Sequence, residues 1–268
     1  MVFHNRFSKI LFLSPFIYLL VVLFANQLDS VKNLAEEVVD IESVWGNQRV
    51  SSDIEKKIYE IANKMGIGKS FEIRKMNVAV MQRFGYCNAL AVAPVLANII
   101  PISSDYLYVS NGFMEDLSED EQIFLIGHEL THIKYSHSFY LFIFNMMLIS
   151  MIIFLSYLAY QLLAKKLSGI FLYMAFFLAV GSLISVADII SSLYSRYIER
   201  VADCESMQIL NAYDGALKLI ERWKNEYKMA EHNNYAGLFA DHPSNHERRI
   251  YCLDLKNKHS QGGNCEKR

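Results

Sequence analysis

Proline is scarce in this sequence. Four occur in 268 residues, and none lies between Ser118 and Pro243. Proline removes a backbone donor and clashes with the preceding helical turn, so this long interval is free of the strongest helix breaker. Charge is missing from three stretches: Ile10–Leu28, Ser138–Ala164 and Leu167–Ala187, of 19, 27 and 21 residues. A bilayer's hydrocarbon core takes about 20 helical residues, so each run is long enough to span. A basic excess is missing too. Lys and Arg number 26 against 28 Asp and Glu, for a net charge of −2, which lacks the electrostatic footprint of a nucleic-acid binder. There are no internal repeats and no low-complexity segments. Cysteine is limited to Cys87, Cys204, Cys252 and Cys265. Four cysteines fit an oxidising compartment and allow three pairings. Cys252 with Cys265, close together in a loop-like tail, is the first to expect, and four free thiols is an equal alternative. Cys87 and Cys204 flank Asn88 and Asp203.

What is present is the stretch Gly127-His128-Glu129-Leu130-Thr131-His132. Two histidines four apart on a helix project from one face. Neutral imidazoles at that spacing can hold two corners of a tetrahedral Zn²⁺ site. Glu129 beside them is placed to take a proton from an attacking water. Chance alone supplies such a motif in roughly 1–2% of chains of this composition, so it needs a helix beneath it and a third ligand elsewhere. The helix is predicted by Ser118-Glu119-Asp120-Glu121, a capping box whose three acids suit the positive end of the helix dipole. With no evident break, the reading is one helical arm from Glu119 to Ala164. On that arm His137 lies about 140° round from His132 and is expected at an interface, not as a ligand.

The rest of the chain predicts a small α+β unit. Val31, Leu34, Val38 and Ile41 have a helical rhythm. Ser52-Asp53-Ile54-Glu55 opens a helix with apolar Ile54, Ile58, Ile61 and Met65, stopped by Gly66 and Gly68. Phe71–Met76, Tyr86–Ala93 and Tyr106–Ser110 read as strands, the second ended by Pro94 as befits an edge. Asn111-Gly112 reads as a turn. The second and third uncharged runs form an antiparallel hairpin about Lys165, Lys166 and Ser168-Gly169, with a second arm from Ile170 to about Leu210. Residues equally far from the turn lie at equal heights. His132 is 35 residues before Leu167, while Glu199 is 32 and Asp203 is 36 residues after it. Glu199 is thus the expected third ligand of a His2Glu set with one open position. Asp203, one turn on, is placed to hold a histidine's second nitrogen.

These residues resemble a family. The His128–His132 motif, the hydrophobic hairpin and then Ser195-Arg196-x-x-Glu199-x-x-Ala202-Asp203 resemble the HtpX family of membrane zinc metallopeptidases, gluzincins related to the CAAX prenyl proteases. The resemblance runs from about Ser52 to Ile250. It implies one Zn²⁺ per chain on His128, His132 and Glu199, Glu129 as general base, and Asp203 behind the ligands. It extends to Asn88-Ala89, matching a substrate-side strand, and to His242-Pro243-Ser244, matching a C-terminal His-Pro motif. The family's following arginine falls at Arg248 or Arg249. His242 is a candidate to stabilise the oxyanion, or else its His-Pro pair is a turn that starts a helix.

The expected fold is therefore mainly α with a small β-sheet: a membrane-anchored zincin-like domain with a transmembrane hairpin inserted between its two metal-binding motifs. Residues 1–28 would be an uncleaved N-terminal anchor, because the apolar part is long and Leu23–Ala25 is a poor cleavage site; a cleaved signal peptide is the alternative. Residues 29–137 would carry the first part of the peptidase domain, 138–190 the hairpin, and 191–268 the second part. Arg6, Lys9, Lys165 and Lys166 sit in very short tracts on one side, so the basic-inside rule puts them in the cytoplasm and the metal outside it. The expected protein is a bacterial inner-membrane endopeptidase acting on membrane-associated or misfolded proteins. The strand over residues 86–93 would receive an extended substrate by β-addition. The alternative is a zinc-binding membrane adaptor without turnover.

Overall fold

The computed structural model describes residues 46–77, 89–92, 105–226 and 242–260. The chain divides into two units, Met1–Asn47 and Gln48–Arg268. The expected first span, the rhythm at Val31–Ile41 and Asn88 lie outside the described residues.

Within the second unit the order is α1 (Ser52–Lys64), β1 (Phe71–Lys75), β2 (Ala89–Val92), β3 (Asp105–Val109), α2 (Asn111–Glu115), α3 (Glu119–Lys134), α4 (His137–Leu163), α5 (Gly169–Leu210), α6 (Tyr213–Glu226) and α7 (Asn245–Ser260). The three strands form one sheet in the order β1-β3-β2. β1 runs parallel to β3, with Phe71 opposite Asp105, and β2 runs antiparallel to it, with Ala89 opposite Val109. Among the described residues β2 is thus an edge, in line with the expectation from Pro94. Asn111-Gly112 is not a simple turn. It opens the short α2, whose Phe113 N–H donates to the Ser110 hydroxyl, 3.2 Å away.

α3 is the hub. It packs against α1, the sheet, α5 and α6. Its Phe124, Leu125, Ile126, Leu130 and Ile133 are buried together with Ile58 of α1, Leu107 and Val109 of β3, and Leu219 and Ile220 of α6. Its start is the predicted capping box: the Glu121 carboxylate accepts from the Ser118 N–H at 2.8 Å and the Ser118 hydroxyl at 2.6 Å. A second anchor was not predicted. Arg222 of α6 pairs with Glu121 at 2.8 Å.

The arm from Glu119 to Ala164 is not continuous. It breaks at Tyr135-Ser136, where Ser136 adopts a left-handed conformation with φ 51°. Three tertiary contacts hold the break. The Tyr135 hydroxyl donates to Glu205 at 2.6 Å, Lys134 pairs with Glu205 at 3.2 Å, and Lys69 donates to the Ser136 hydroxyl at 3.3 Å. After the break, α4 and the first half of α5 form the expected antiparallel hairpin, turning at Gly169 with φ 58°. Both helices are long and apolar enough to cross a membrane. Only 11% of the apolar window of α4 and 22% of that of α5 are buried, so these are not core helices of a soluble domain. Phe154, Phe171 and Leu178 project outward. The chain is a membrane protein on this pattern. At 1.5 Å per residue the 42 residues of α5 extend about 63 Å, so α5 rises well past the apolar hairpin and carries Glu199 and Asp203 alongside α3.

Candidate active site

α3 and α5 approach closely because Gly127 has no side chain. A Cβ there would lie 2.4 Å from Leu210 Cδ1 and 2.5 Å from the Ser206 hydroxyl oxygen. The Ser206 hydroxyl instead donates to the Phe124 carbonyl at 2.8 Å, stitching the two helices one turn before His128. The crossing brings His128 and His132 of α3 against Glu199 of α5. His128 Nε2 lies 3.1 Å from His132 Nε2 and 3.3 Å from Glu199 Oε2, and His132 Nε2 lies 3.5 Å from Glu199 Oε1.

Those separations fit zinc. With Zn–N and Zn–O bonds of about 2.0–2.1 Å, neighbouring corners of a tetrahedron are about 3.3 Å apart. The donor set of two imidazole nitrogens and a carboxylate suits Zn²⁺, and all three donors lie within 4.8 Å of one another. The surrounding charges favour a cation at this point. His128 is raised to about 10: burial opposes its charge, but Asp203 and Glu199 outweigh it. Burial would raise the Glu199 carboxyl, yet His128 and His242 hold it well below its ordinary range. His132 is lowered to about 3 by burial and the neighbouring His128.

Behind the donors is a buried network. Asp203 Oδ1 lies 2.7 Å from His128 Nδ1, the contact expected of it. Arg248 of α7 donates to Asp203 twice, from Nε at 2.9 Å and Nη2 at 2.6 Å, and the Tyr251 hydroxyl donates to the same carboxylate. Against burial, Arg248 and His128 hold Asp203 low, at about 2. Arg248 is buried and Arg249 exposed, so Arg248 is the arginine that joins the site. Its guanidinium also lies over the Trp223 ring, 5.1 Å from the centroid. Tyr251 and Trp223 were not anticipated. Both depend on how α6 and α7 dock, which local spacing does not reveal.

Glu129 is buried beside the donors, and burial raises its carboxyl to about 7. Its Oε2 accepts from the Ala91 N–H at 2.7 Å, so the edge strand β2 borders the site. Ala89 is buried at the start of β2. His242 Nδ1 lies 3.3 Å from Glu199 Oε2 although its side chain is 62% exposed. His242-Pro243 also leads into α7, whose first turn is capped by Ser244 and Glu247. His137 is not one of the three donors, but it does not lie 140° round an unbroken helix from His132. The break at Ser136 swings it back until its Nδ1 is 3.0 Å from His132 Nδ1. Cys252 is a buried free thiol, which rules out its expected pairing with Cys265. Cys204 is disulfide-bonded to a partner outside the described residues.

Two histidines on one helix and a glutamate from an antiparallel neighbour form a group that could hold a metal ion, with the Glu129 carboxylate beside it. The profile of peptidase family M48 matches residues 48–254, and the chain belongs to that family of zinc metallopeptidases. No curated protein sequence matches the chain. Among solved structures it is similar to the crystal structure of S. mikatae Ste24p, with a TM-score of 0.61 and 19% identity, over 88% of this chain and 57% of that one. At that identity the likeness is one of fold, and the chain spans little more than half the length of that protein.

Proposed function

We propose that the protein is a zinc-dependent endopeptidase of the membrane, hydrolysing membrane-associated or misfolded chains. The observation that carries this reading is the triangle of His128, His132 and Glu199, with edges of 3.1 to 3.5 Å and a buried carboxylate beside it. One Zn²⁺ per chain would be held by those three residues. When bound, the ion lowers the pKa of a water and polarises the scissile carbonyl.

The chain's own residues do the rest. Glu129 takes the proton of the attacking water and gives it to the leaving amine. Its value of about 7 suits a group that must do both near neutrality. Asp203 fixes the His128 ring so that Nε2 faces the donors. β2 and the adjoining Asn88 receive an extended substrate, whose backbone adds to the edge with little side-chain selectivity. His242 donates to the developing oxyanion. An adaptor without turnover would not require Glu129, and structural zinc sites commonly fill all four positions with protein ligands.

The metal site faces away from the cytoplasm in this proposal, and the Lys165-Lys166 turn faces into it, in a bacterial inner membrane. The short basic tracts support that orientation, as does the disulfide at Cys204 on the metal side.

The test compares three proteins. Glu129→Gln should bind zinc like the parent and lose nearly all turnover. Glu199→Ala should bind zinc far more weakly. Full activity in Glu129→Gln, or parent-like zinc binding in Glu199→Ala, would overturn the assignment. The proteome of cells carrying Glu129→Gln should accumulate the natural substrates, membrane or envelope proteins among them.

A further inference from the structure

We infer that His137 is a positioning residue for His132, fixing the tautomer and direction of that ring as Asp203 does for His128. The inference rests on the metal reading above. His132 turns Nε2 toward His128 and Glu199, at 3.1 and 3.5 Å. Its other nitrogen, Nδ1, faces His137 Nδ1 at 3.0 Å. A hydrogen bond between two nitrogens needs one proton, so one ring donates and the other accepts. If His132 uses the Nε2 lone pair for a metal, its proton must sit on Nδ1. His132 Nδ1–H then donates, and His137 accepts in its Nε2–H tautomer. With the proton of His132 on Nε2 instead, the metal-facing lone pair is lost. With its own proton on Nε2, His137 is the acceptor that pairs with the ligating form of His132.

The surroundings hold His137 to this task. It is 9% exposed. Its ring meets that of His132 edge-on, 5.0 Å between centroids, and stacks on Tyr135 at 5.6 Å. Tyr135 is itself tied to Glu205 of α5. The left-handed Ser136 is what turns His137 back toward α3. On an unbroken helix, a residue five positions on could not reach that nitrogen. The break between α3 and α4 thus has a use: it delivers an acceptor to the second ligand. Each histidine of the motif then has a buried partner on Nδ1, Asp203 for His128 and His137 for His132.

Outer partners of metal-bound histidines typically change metal affinity 10- to 100-fold. The experiment measures zinc affinity of the purified full chain in detergent, by competition with a chromophoric chelator, alongside thermal unfolding of the metal-free protein. Two variants are compared with the parent. His137→Leu removes the acceptor. His137→Asn keeps one, its Oδ1 standing close to where Nδ1 was. We expect about a 10- to 100-fold loss of zinc affinity in His137→Leu and near-parental affinity in His137→Asn, with equal unfolding temperatures for the two metal-free variants. Parent-like affinity in His137→Leu, or equal losses in both variants, would overturn the inference while leaving the metal site standing. A parent that binds no zinc would overturn both. If both variants unfold at lower temperature, the affinity difference between Leu and Asn still decides, since packing loss alone does not follow the acceptor.

Discussion

At the scale of the residue, the pair Asp203–Arg248 carries the heaviest consequence. Both side chains are almost wholly buried, with relative exposures of 0% and 9%. Removing one member of a buried pair leaves the other charge without compensation, a loss of about 3–5 kcal/mol. Arg248→Gln should therefore lower stability by roughly that amount and weaken zinc binding through His128. Arg249→Gln, on the exposed neighbour, should change stability by less than about 0.5 kcal/mol. Thermal unfolding of the two variants in one detergent checks the contrast; equal effects would remove Arg248 from the site. The sequence revealed part of this constellation and hid part. His128, Glu129 and His132 are legible because they share one turn-spaced motif. Glu199 and Asp203 are legible because helical rise is fixed, so counting outward from Leu167 places them. Arg248 is left level with Arg249 by counting, because α7 reaches the site through tertiary docking and not through helical register. Tyr251 and Trp223 escape for the same reason.

At the scale of the element, two helix contacts set the geometry of the site. The first is the crossing of α3 and α5 at Gly127. Gly127→Ala would drive its Cβ into Leu210 and Ser206, an overpacking expected to cost about 1–3 kcal/mol. Because His128 adjoins Gly127 and Glu199 rides on α5, zinc affinity should fall with it. Adding Leu210→Ala should recover part of the stability, and a double variant no better than Gly127→Ala would refute this account of the crossing. The second contact is Glu121 with Arg222, joining α3 to α6. Burial raises the Glu121 carboxyl, but the hydrogen bonds from Arg222 and Ser118 outweigh it and hold the group below its ordinary 4.5. A depressed carboxyl contributes stability above its unfolded pKa and loses it as pH falls through the folded value. The stability advantage of the parent over Glu121→Gln should thus be constant near neutrality and shrink as the pH drops below 4.5. Unfolding temperatures measured from pH 7 downward check the sign, in about half-unit steps. Element boundaries also show where sequence reasoning stops. α1, α5 and the capping box of α3 follow from local signals. The break at Tyr135-Ser136 has no glycine or proline to announce it, and is imposed by Glu205 and Lys69 from elsewhere in the chain.

At the scale of the whole molecule, the hairpin carries tyrosines at both of its ends. Tyr140, Tyr194 and Tyr197 lie toward the metal, and Tyr157, Tyr160 and Tyr173 toward the Lys165-Lys166 turn. Tyrosine collects where hydrocarbon meets headgroups. Tyr140 and Tyr160 are 20 residues apart on α4, about 30 Å of helix, which matches the hydrocarbon thickness of a bilayer. On α5 the interval from Tyr173 to Tyr194 holds one charged side chain, Asp188, on the exposed surface. Glu199 is five residues beyond Tyr194 on the unbroken α5, so the metal donors would stand roughly 7–8 Å above the upper belt. A site at that depth meets chains tethered to the membrane sooner than free globular ones, and a folded domain cannot lay an extended backbone along β2. Substrates should therefore be cut in unfolded segments beside a membrane span. A tethered reporter tests this. With its cleavable segment next to a transmembrane helix, cutting should be fast. It should slow as flexible linkers move that segment outward, and stop when the segment is enclosed in a tightly folded domain. The Glu129→Gln protein should cut none of these reporters, and efficient cutting of the folded domain by the parent would show that the bilayer does not set the reach of the enzyme.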